Sequence, residues 1–282
     1  MKKIIAANWK MNHDFDETDI WLDSFFQNYT ANYDKLQNVE MVLCPPSILL
    51  DYIDSELMED GMGFFEELIK KEGRKAEDFS AEEITEIVVG SRPIKLGAQD
   101  CHFEESGSFT GDISAKMLSK VGCQYVISGH FERRTNHFES NEMVAKKALS
   151  AVNAKLIPII CVGESKEIRD ANKHLEFVYK QVMQSVPKEA KFEKMVIAYE
   201  PIWSIGTGIT PTSAQIAEIA NLMKKIFAEK FSSRADEYFM LYGGSVAAKN
   251  SKEILAIAGI GGLLIGKASL DASEFINICL SL

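Results

Sequence analysis

Short apolar runs alternate with longer amphipathic stretches from one end of the chain to the other. The apolar runs predict eight β-strands, at residues 4–9, 40–44, 94–98, 124–128, 156–162, 195–200, 238–242 and 262–266. Segments with helical periodicity lie between them, including 16–31, 141–152, 166–185, 213–230 and 249–258. This alternation predicts a parallel sheet with both faces buried, most simply closed as a (β/α)8 barrel. An open doubly wound sheet is the alternative, because periodicity alone does not decide closure.

One connection is much longer than the others. The stretch from Ile48 to Lys95 spans 48 residues, where a strand–helix–strand link commonly needs far fewer. Residues 56–90 within it carry 11 acidic and 4 basic side chains. Its apolar residues recur at helical spacing in two groups, the first Phe64, Phe65, Leu68 and Ile69 and the second Ile84, Ile87 and Val88. We therefore predict an acidic helical hairpin inserted after the second strand.

The insertion does not divide the chain into two domains. We expect a single barrel domain over residues 1–282, with residues 58–90 as the inserted helical segment. Capping boxes predict two helix starts, one at Ser80 and Glu83 within the insertion and one at Thr212 and Gln215. The insertion is expected to be a solvated decoration on the outer helices, with a module that docks a partner as the alternative.

Composition narrows the classes of partner. Lys and Arg number 31 and Asp and Glu number 41, so the formal net charge is −10. Nucleic acids and anionic membrane surfaces bind positive patches, and neither is expected as a partner. The longest uncharged, mainly apolar run is residues 254–266, 13 residues, whereas a membrane span needs about 20. The five cysteines include no Cys-x-x-Cys pair, so we expect free thiols in a reducing cytoplasm.

Residues capable of chemistry follow the carboxyl ends of several predicted strands. Lys10 comes after the first strand, His130 after the fourth and Glu200 after the sixth. Glycine-containing turns precede Ser245 and Lys267, after the seventh and eighth strands. Parallel barrels build their active sites at this end, and the backbone N–H groups of such turns favour anions. The pattern therefore predicts an active site that binds an anionic substrate.

Three common classes of site have no signature in the chain. The five histidines show no His-Glu-x-x-His spacing, so no metal is expected. There is no Walker loop, and residues 259–266 fail the G-x-G-x-x-G template at Leu264. We therefore expect neither a cofactor nor nucleotide hydrolysis.

Four longer motifs resemble those of the triosephosphate isomerase family. They are Ala7-Asn8-Trp9-Lys10-Met11-Asn12, Ser128-Gly129-His130-x-Glu132-Arg133-Arg134, the run AYEPIWSIGTG at 198–208, and Tyr242-Gly243-Gly244-Ser245. Three shorter motifs are similar too, namely Gly97-Ala98-Gln99, GSFTGD at 107–112 and Cys161-Val162-Gly163-Glu164. The resemblance covers essentially the whole chain except the acidic insertion, and it implies the closed form of the barrel, the TIM barrel.

The resemblance also implies a reaction, the interconversion of D-glyceraldehyde 3-phosphate and dihydroxyacetone phosphate through an enediolate, in glycolysis and gluconeogenesis. Glu200 matches the family's base and His130 the imidazole that polarises the carbonyl. That imidazole is expected to be neutral, since the residues after it can open a short helix. Lys10 matches the lysine that offsets the phosphate and the developing oxyanion, with Asn8 orienting both. Glu132 matches a buried carboxylate that pairs with the lysine and helps to move protons.

Residues 201–208 resemble the family's lid, which closes because an exposed enediolate eliminates its phosphate. The resemblance implies that Gly206 in the lid supplies a backbone N–H to the substrate phosphate. Ser245 and the amides of Gly266 and Lys267 are expected to complete the phosphate site.

Three residues depart from the family pattern. Phe131 stands where most members carry a small serine, so a hydroxyl that can hold the base is missing. Lys267 replaces the second glycine of the phosphate-binding turn. Pro211 lies in the hinge of the lid, where the family's tyrosine, here Tyr242, commonly bonds a backbone N–H that proline lacks. We expect a rearranged lid latch that costs rate rather than reaction type.

The loop Phe109-Thr110-Gly111 resembles the element that family members insert into a partner subunit, where the threonine approaches the other chain's Asn8 and Lys10. The resemblance thus implies a cytoplasmic homodimer with active sites completed across the interface. The alternative function is a barrel that binds a phosphorylated metabolite or a protein partner without turnover. The three departures from the family pattern favour this alternative. A coupled assay with glyceraldehyde 3-phosphate separates the two.

Overall fold

Eight parallel strands close into a barrel in the order of the chain. The computed structural model describes residues 2–205, 209–233 and 235–282. The strands are β1 (Lys3–Asn8), β2 (Val39–Cys44), β3 (Lys95–Ala98), β4 (Tyr125–Ser128), β5 (Ile157–Val162), β6 (Phe192–Tyr199), β7 (Ala235–Tyr242) and β8 (Ile260–Ile265). Strand β8 pairs with both β7 and β1, so the predicted closed barrel is confirmed and the open sheet is wrong.

Side chains of the strands alternate between two cores, because successive residues of a strand point to opposite faces. One set fills the inside of the barrel and includes Ile4, Ala6, Tyr125 and Phe239. The other set, including Ile5 and Ala7, packs against the surrounding helices. The five cysteines are buried free thiols in this packing.

Helices cover the outside of the barrel. They are α1 (Phe15–Ala31), α2 (Tyr33–Leu36), α3 (Leu50–Glu72), α4 (Ala81–Ser91), α5 (Ala115–Lys120), α6 (Phe131–Asn136), α7 (Asn141–Asn153), α8 (Lys166–Asp170), α9 (His174–Ser185), α10 (Ser213–Ile226), α11 (Ala248–Leu255) and α12 (Ala272–Cys279). Within the described ranges, none of these helices has the length and apolar character to span a membrane.

Two predicted helices are shorter than expected. The single helix predicted over 166–185 is wrong, because Asn172 adopts a left-handed conformation (φ 55°) that separates α8 from α9. Asparagine tolerates this conformation better than most residues. The helix predicted over 213–230 also ends early, and a single π-helical turn, Phe227–Phe231, follows α10.

The acidic insertion is helical, but its first helix is a continuation of the helix that follows β2. Helix α3 runs unbroken from Leu50 and ends at Gly73, which has the left-handed conformation of a helix cap (φ 67°). The predicted capping box at Ser80 is present and begins α4. Phe65 and Val88 are buried where the two helices pack, whereas Phe64 is exposed.

The two ends of the chain are joined beside the barrel mouth. The indole N–H groups of Trp9 and Trp21 both donate to the carbonyl oxygen of Ser269, at 3.2 and 3.0 Å. Ser269 belongs to the short 3-10 turn Lys267–Leu270 that follows β8. The end of β1 and the turn after β8 are therefore held as one unit.

Candidate active site

The carboxyl ends of β1, β4, β6, β7 and β8 surround a cavity of about 510 Å³. Predicted residues from all five strand ends line it, namely Asn8, Lys10, His130, Glu200, Ser245, Gly266 and Lys267. An adjoining cavity of about 520 Å³ shares Asn8, Lys10 and His130 and adds Glu132. The structure thus brings eight of the nine predicted site residues together. The ninth, Gly206, lies outside the described residues.

The backbone at the end of β1 is held in an unusual conformation. Lys10 has a positive φ of 56°, which a residue with a side chain adopts only where its surroundings fix it. The Lys10 N–H donates to Oδ1 of Asn8 at 3.0 Å. The Gln99 amide donates to the carbonyl oxygens of Lys10 and Cys44, at 2.8 and 2.9 Å. Asn8 therefore acts on Lys10 through the backbone, and Gln99, to which sequence analysis gave no role, supports it.

The ammonium of Lys10 is paired with a carboxylate on α6. Its Nζ lies 2.6 Å from Oε1 of Glu132. The Glu132 side chain is 38% exposed, so the expectation that it is buried is wrong. The Lys10 Nζ also lies 5.4 Å from the centroid of the Phe131 ring. The lysine is thus fixed between the cavity and α6.

His130 caps the short helix that was predicted to follow it. Its Nδ1 accepts the backbone N–H of Glu132 at 3.3 Å, which leaves the proton of a neutral imidazole on Nε2. Burial, together with the positive charge of Lys10, lowers the pKa of His130 to about 3. The ring therefore enters the cavity as a neutral N–H donor, as expected from the sequence.

Two arginines hold α6 in place. Arg133 forms ion pairs with Glu139 at 2.6 Å and with Asp100 at 2.9 Å. Arg134 donates to the carbonyl oxygens of Gly129 and Cys161, at 2.7 and 3.0 Å. Because charge-assisted hydrogen bonds are short and directional, they fix the orientation of the helix that carries Glu132 and begins at His130.

Glu200 is buried at the end of β6 and is 2% exposed. Its Oε2 accepts the backbone N–H of Phe131 at 2.9 Å. Among the described residues its Oε1 accepts no well-directed hydrogen bond, although it lies 3.0 Å from Nε2 of His130. Burial raises the pKa of Glu200 to about 8, against the opposing effects of the Phe131 N–H and the Lys10 charge. A carboxyl group with one unoccupied oxygen, facing an imidazole N–H, is suited to exchange a proton with a bound molecule.

Close backbone packing surrounds this carboxyl group. A Cβ atom on Gly163 would lie 1.7 Å from the carbonyl oxygen of Glu200. A Cβ atom on Gly243 would lie 3.1 Å from Cγ of Glu200. Glycine at position 163 is therefore required if β5 and the end of β6 are to approach so closely.

A buried carboxylate anchors the segment that begins after Glu200. Trp203 donates its indole N–H to Oε1 of Glu164 at 2.9 Å. The same oxygen accepts from the Tyr199 hydroxyl at 3.0 Å and from Nε of Arg169 at 2.9 Å. Sequence analysis gave Glu164 no role, because the network also depends on Tyr199 and Trp203, which are distant along the chain.

On the far side of the same segment lie Pro211 and Tyr242, the two residues for which the sequence predicts a rearranged latch. Pro211 is buried and has no backbone N–H to offer. The hydroxyl of Tyr242 is buried and has no hydrogen-bond partner among the described residues. Burial raises the pKa of Tyr242 to about 12, so the hydroxyl keeps its proton.

The turns after β7 and β8 face Lys10 across the cavity. The Ser245 hydroxyl donates to the carbonyl oxygen of Ser204 at 3.2 Å, which connects this turn to the lid segment. A Cβ atom on Gly266 would lie 3.3 Å from Cε of Lys10, so the backbone there lies against the lysine side chain. Lys267 follows directly and is exposed at the mouth of the cavity.

The loop containing Phe109, Thr110 and Gly111 lines neither cavity of this chain. All three residues are exposed, and the Phe109 ring packs on His102 with a centroid distance of 4.2 Å. Gly111 has a positive φ of 92°, which fits the tight turn at the end of the loop.

Comparisons with known proteins agree on one family. The sequence model described as "Triosephosphate isomerase" matches residues 3–74 and 75–282. A triosephosphate isomerase of Afipia carboxidovorans is 38% identical over 278 residues, covering 99% of this chain and 96% of that protein. One of Rhizobium meliloti is 35% identical over 281 residues, covering 99% and 95%. The crystal structure of triosephosphate isomerase from Bartonella henselae aligns with a TM-score of 0.78 at 33% identity, covering 100% of this chain and 99% of that one.

Proposed function

The chain belongs to the triosephosphate isomerase family, whose reaction interconverts D-glyceraldehyde 3-phosphate and dihydroxyacetone phosphate in glycolysis, and we propose that Glu200, His130 and Lys10 carry out that reaction here. The observation that carries the proposal is the meeting of these three side chains at one cavity, although they come from different strands. The cavity of about 510 Å³ is large enough for a three-carbon phosphate.

Glu200 is proposed as the base. The reaction moves a proton from one carbon of the substrate to the neighbouring carbon. A carboxylate on one side of these two carbons can take the proton from the first and return it to the second. The buried Oε1 of Glu200 faces Nε2 of His130 beside the cavity, while Oε2 is held by the Phe131 N–H. The raised pKa of Glu200 makes its carboxylate a stronger base than a free side chain.

His130 is proposed as the electrophile. Its Nε2 carries the proton and lies within 3.0 Å of the base, so one substrate can contact both groups. An N–H donor directed at the substrate carbonyl stabilises the negative charge that develops on the oxygen of the enediolate. The lowered pKa of His130 keeps the ring neutral. The His130 ring therefore acts as a hydrogen-bond donor in its neutral form, before proton transfer begins.

Lys10 is proposed to offset the charges of the phosphate and of the developing oxyanion. Asn8 orients it through the backbone hydrogen bond, and Glu132 orients its ammonium through the ion pair of 2.6 Å. We propose that Glu132 has this positioning role and helps to move protons near the lysine. Because Glu132 is partly exposed, it exchanges protons with solvent more readily than Glu200 does.

The phosphate of the substrate is proposed to lie at the turns after β7 and β8. Ser245 and the backbone N–H groups of Gly266 and Lys267 are proposed to bind it, which is supported by their lining the same cavity as Lys10. Gly206 is proposed to add a further N–H when the lid closes. Closure of a lid matters because it keeps water from the enediolate.

A homodimer is proposed because exposed apolar side chains follow four successive strands at the same end of the barrel. Met11 is 95% exposed and Phe138 is 86% exposed, and Ile48 and Phe109 are exposed as well. Large exposed apolar groups concentrated at one rim are typical of an interface. We further propose that Thr110 reaches the Lys10 side of the partner's active site, and that the protein works in the cytoplasm, where its free thiols stay reduced.

A coupled assay with glyceraldehyde 3-phosphate tests the catalytic assignment. We expect isomerase activity in the unaltered protein and a loss of at least about a thousandfold in kcat for Glu200→Gln, which keeps the shape but removes the base. His130→Gln is expected to keep phosphate binding and lose most turnover. Unchanged kcat in His130→Gln would remove the electrophile assignment. Binding of a phosphate-bearing enediolate mimic without any turnover would instead support a barrel that only binds.

A further inference from the structure

We propose that the side-chain ammonium of Lys267 is a second cation of the phosphate site, which captures the dianionic substrate at the mouth of the cavity. This inference rests on the proposed function, because it assumes that the substrate phosphate binds beside Gly266. It adds the Lys267 side chain to a site that would otherwise use only the backbone N–H of this residue.

The position of Lys267 carries the first step. Lys267 lines the cavity that holds Lys10, His130 and Glu200, and it is exposed. The preceding residue, Gly266, lies against the other lysine, since a Cβ atom on Gly266 would be 3.9 Å from Nζ of Lys10. The backbone of position 267 therefore begins beside the ammonium that already serves the phosphate.

The charges around the cavity carry the second step. The ammonium of Lys10 is paired with Glu132 at 2.6 Å, so part of its charge is already offset. Glu274 also lines the cavity, but its Oε1 accepts the backbone N–H of Ala248 at 2.8 Å. Among the described residues, Lys267 has no ion-pair partner. A phosphate that enters with a charge near −2 thus meets one paired and one unpaired lysine.

The location at the mouth decides what the second cation does. An exposed charge acts on an approaching anion over about 10 Å at 0.1 M salt, and its effect fades as salt rises. A cleft with a positive rim raises the rate of encounter of a charged ligand. This protein is acidic overall, with a net charge of −10, so a local cation at the entrance matters more for an anionic substrate. Lys267 therefore acts chiefly on substrate capture.

The test measures kcat/KM and its dependence on ionic strength for the unaltered protein, Lys267→Met, Lys267→Gly and Lys267→Arg. At low salt we expect kcat/KM of Lys267→Met to fall roughly two- to fivefold, the range that exposed ion pairs reach. The kcat/KM values of Lys267→Met and the unaltered protein should become equal as the ionic strength approaches about 0.5 M, where screening is strong. Lys267→Arg should follow the unaltered protein, since it keeps the charge.

Lys267→Gly and a lysine elsewhere supply the controls. Lys267→Gly keeps the backbone N–H and restores the family's glycine, so it should match Lys267→Met if the ammonium acts. Lys224, exposed in the last turn of α10 at the other end of the barrel, provides a matched change of charge. Lys224→Met should keep the salt dependence of the unaltered protein. A Lys267→Gly protein with unaltered kcat/KM and salt dependence would overturn the proposal.

A binding measurement separates this proposal from the proposed function. Calorimetric titration with inorganic sulfate needs no turnover, and Lys267→Met should bind it two- to fivefold more weakly than the unaltered protein at low salt. Equal affinities would overturn the role of Lys267 even in an active isomerase. An inactive protein that still showed the difference would contradict the proposed reaction and support the second cation.

Discussion

At the scale of single residues, Glu200 and His130 have pKa values displaced in opposite directions. Burial raises the pKa of Glu200 to about 8 and lowers that of His130 to about 3. Both displacements favour the neutral form of each group, since a buried charge has lost its hydration. At neutral pH the resting site therefore holds a largely protonated carboxyl group beside a neutral imidazole.

The pH dependence of kcat/KM follows from the pKa of Glu200. Because only the carboxylate accepts a proton, activity should rise with pH up to about 8 and fall about tenfold per pH unit below it. The second ionisation of the substrate phosphate, near about pH 6, adds a separate and lower step. A profile of kcat/KM from pH 5 to 10 checks this expectation. Constant activity between pH 6 and 9 would contradict the raised pKa.

Phe131 gives a second prediction at this scale. It contributes a backbone N–H to Glu200 but no hydroxyl, and its ring lies 4.8 Å from that of His130. Phe131→Ser adds a hydrogen-bond donor to the carboxylate and admits water. We therefore expect the acid limb of the kcat/KM profile to move down by about one pH unit, which corresponds to the energy of one hydrogen bond to a charged group. Phe131→Leu keeps the apolar site and should keep the limb in place. Coincident limbs in all three proteins would show that the side chain at 131 does not affect the base.

At the scale of elements, the two ends of the lid segment are held very differently. Its first turn is anchored by the hydrogen bond from Trp203 to the buried Glu164. At the other end, Pro211 offers no N–H and the Tyr242 hydroxyl has no partner among the residues that the structure describes. A buried hydroxyl without a hydrogen-bond partner lowers the stability of the folded state. The backbone of residue 211 does not supply that partner, because proline has no N–H. The first turn therefore has a buried anchor, whereas the backbone of Pro211 offers no donor to Tyr242.

Pro211→Ala should add a hydrogen bond at the hinge of the lid. It restores the backbone N–H that the family's tyrosine, here Tyr242, commonly bonds, and one such hydrogen bond contributes about 1 kcal/mol. We expect the release of inorganic phosphate per turnover to fall by up to about fivefold, since a better-held lid protects the enediolate from elimination. Tyr242→Phe should have little effect alone but should abolish the gain in the double variant. An equal gain with and without the Tyr242 hydroxyl would exclude it as the partner.

The sequence predicted the elements well where the pattern was local. Apolar runs located all eight strands, and the capping boxes at Ser80 and Thr212 located two helix starts. The break at Asn172 was missed because the flanking residues keep helical periodicity and contain neither glycine nor proline. The hydrogen bonds of Glu164 were missed because tertiary packing alone brings its partners together.

At the scale of the whole molecule, the site is built on one rim of a closed barrel. Closure places the end of β1 beside the end of β8, which is how Lys10 comes to lie against Gly266. Motif resemblance could identify these residues before the structure, since the motifs follow strand ends. It could not give the exposure of Glu132 or the unoccupied Oε1 of Glu200, because both depend on how the loops pack over the barrel.

The same rim carries the prediction about assembly. If Phe109 and its neighbours form an interface, the protein should sediment as a particle of twice 31.5 kDa. Phe109→Asp should dissociate it and lower kcat, because a charge at the centre of an apolar contact is costly. Ile20, exposed on the outer side of α1, gives the control Ile20→Asp, which should leave the sedimentation unchanged. A monomeric unaltered protein with full activity would contradict the proposed dimer.

The hydrogen bonds from Trp9 and Trp21 to Ser269 have a consequence for biosynthesis. A ribosome releases Lys10 early, but the turn that supports it emerges about 260 residues later. Until Ser269 has been synthesised, neither indole has its acceptor, and the barrel lacks the turn that follows its last strand. Nascent chains arrested before Gly266 should therefore be protease-sensitive and inactive, and competence should arrive in a single late step rather than accumulate strand by strand.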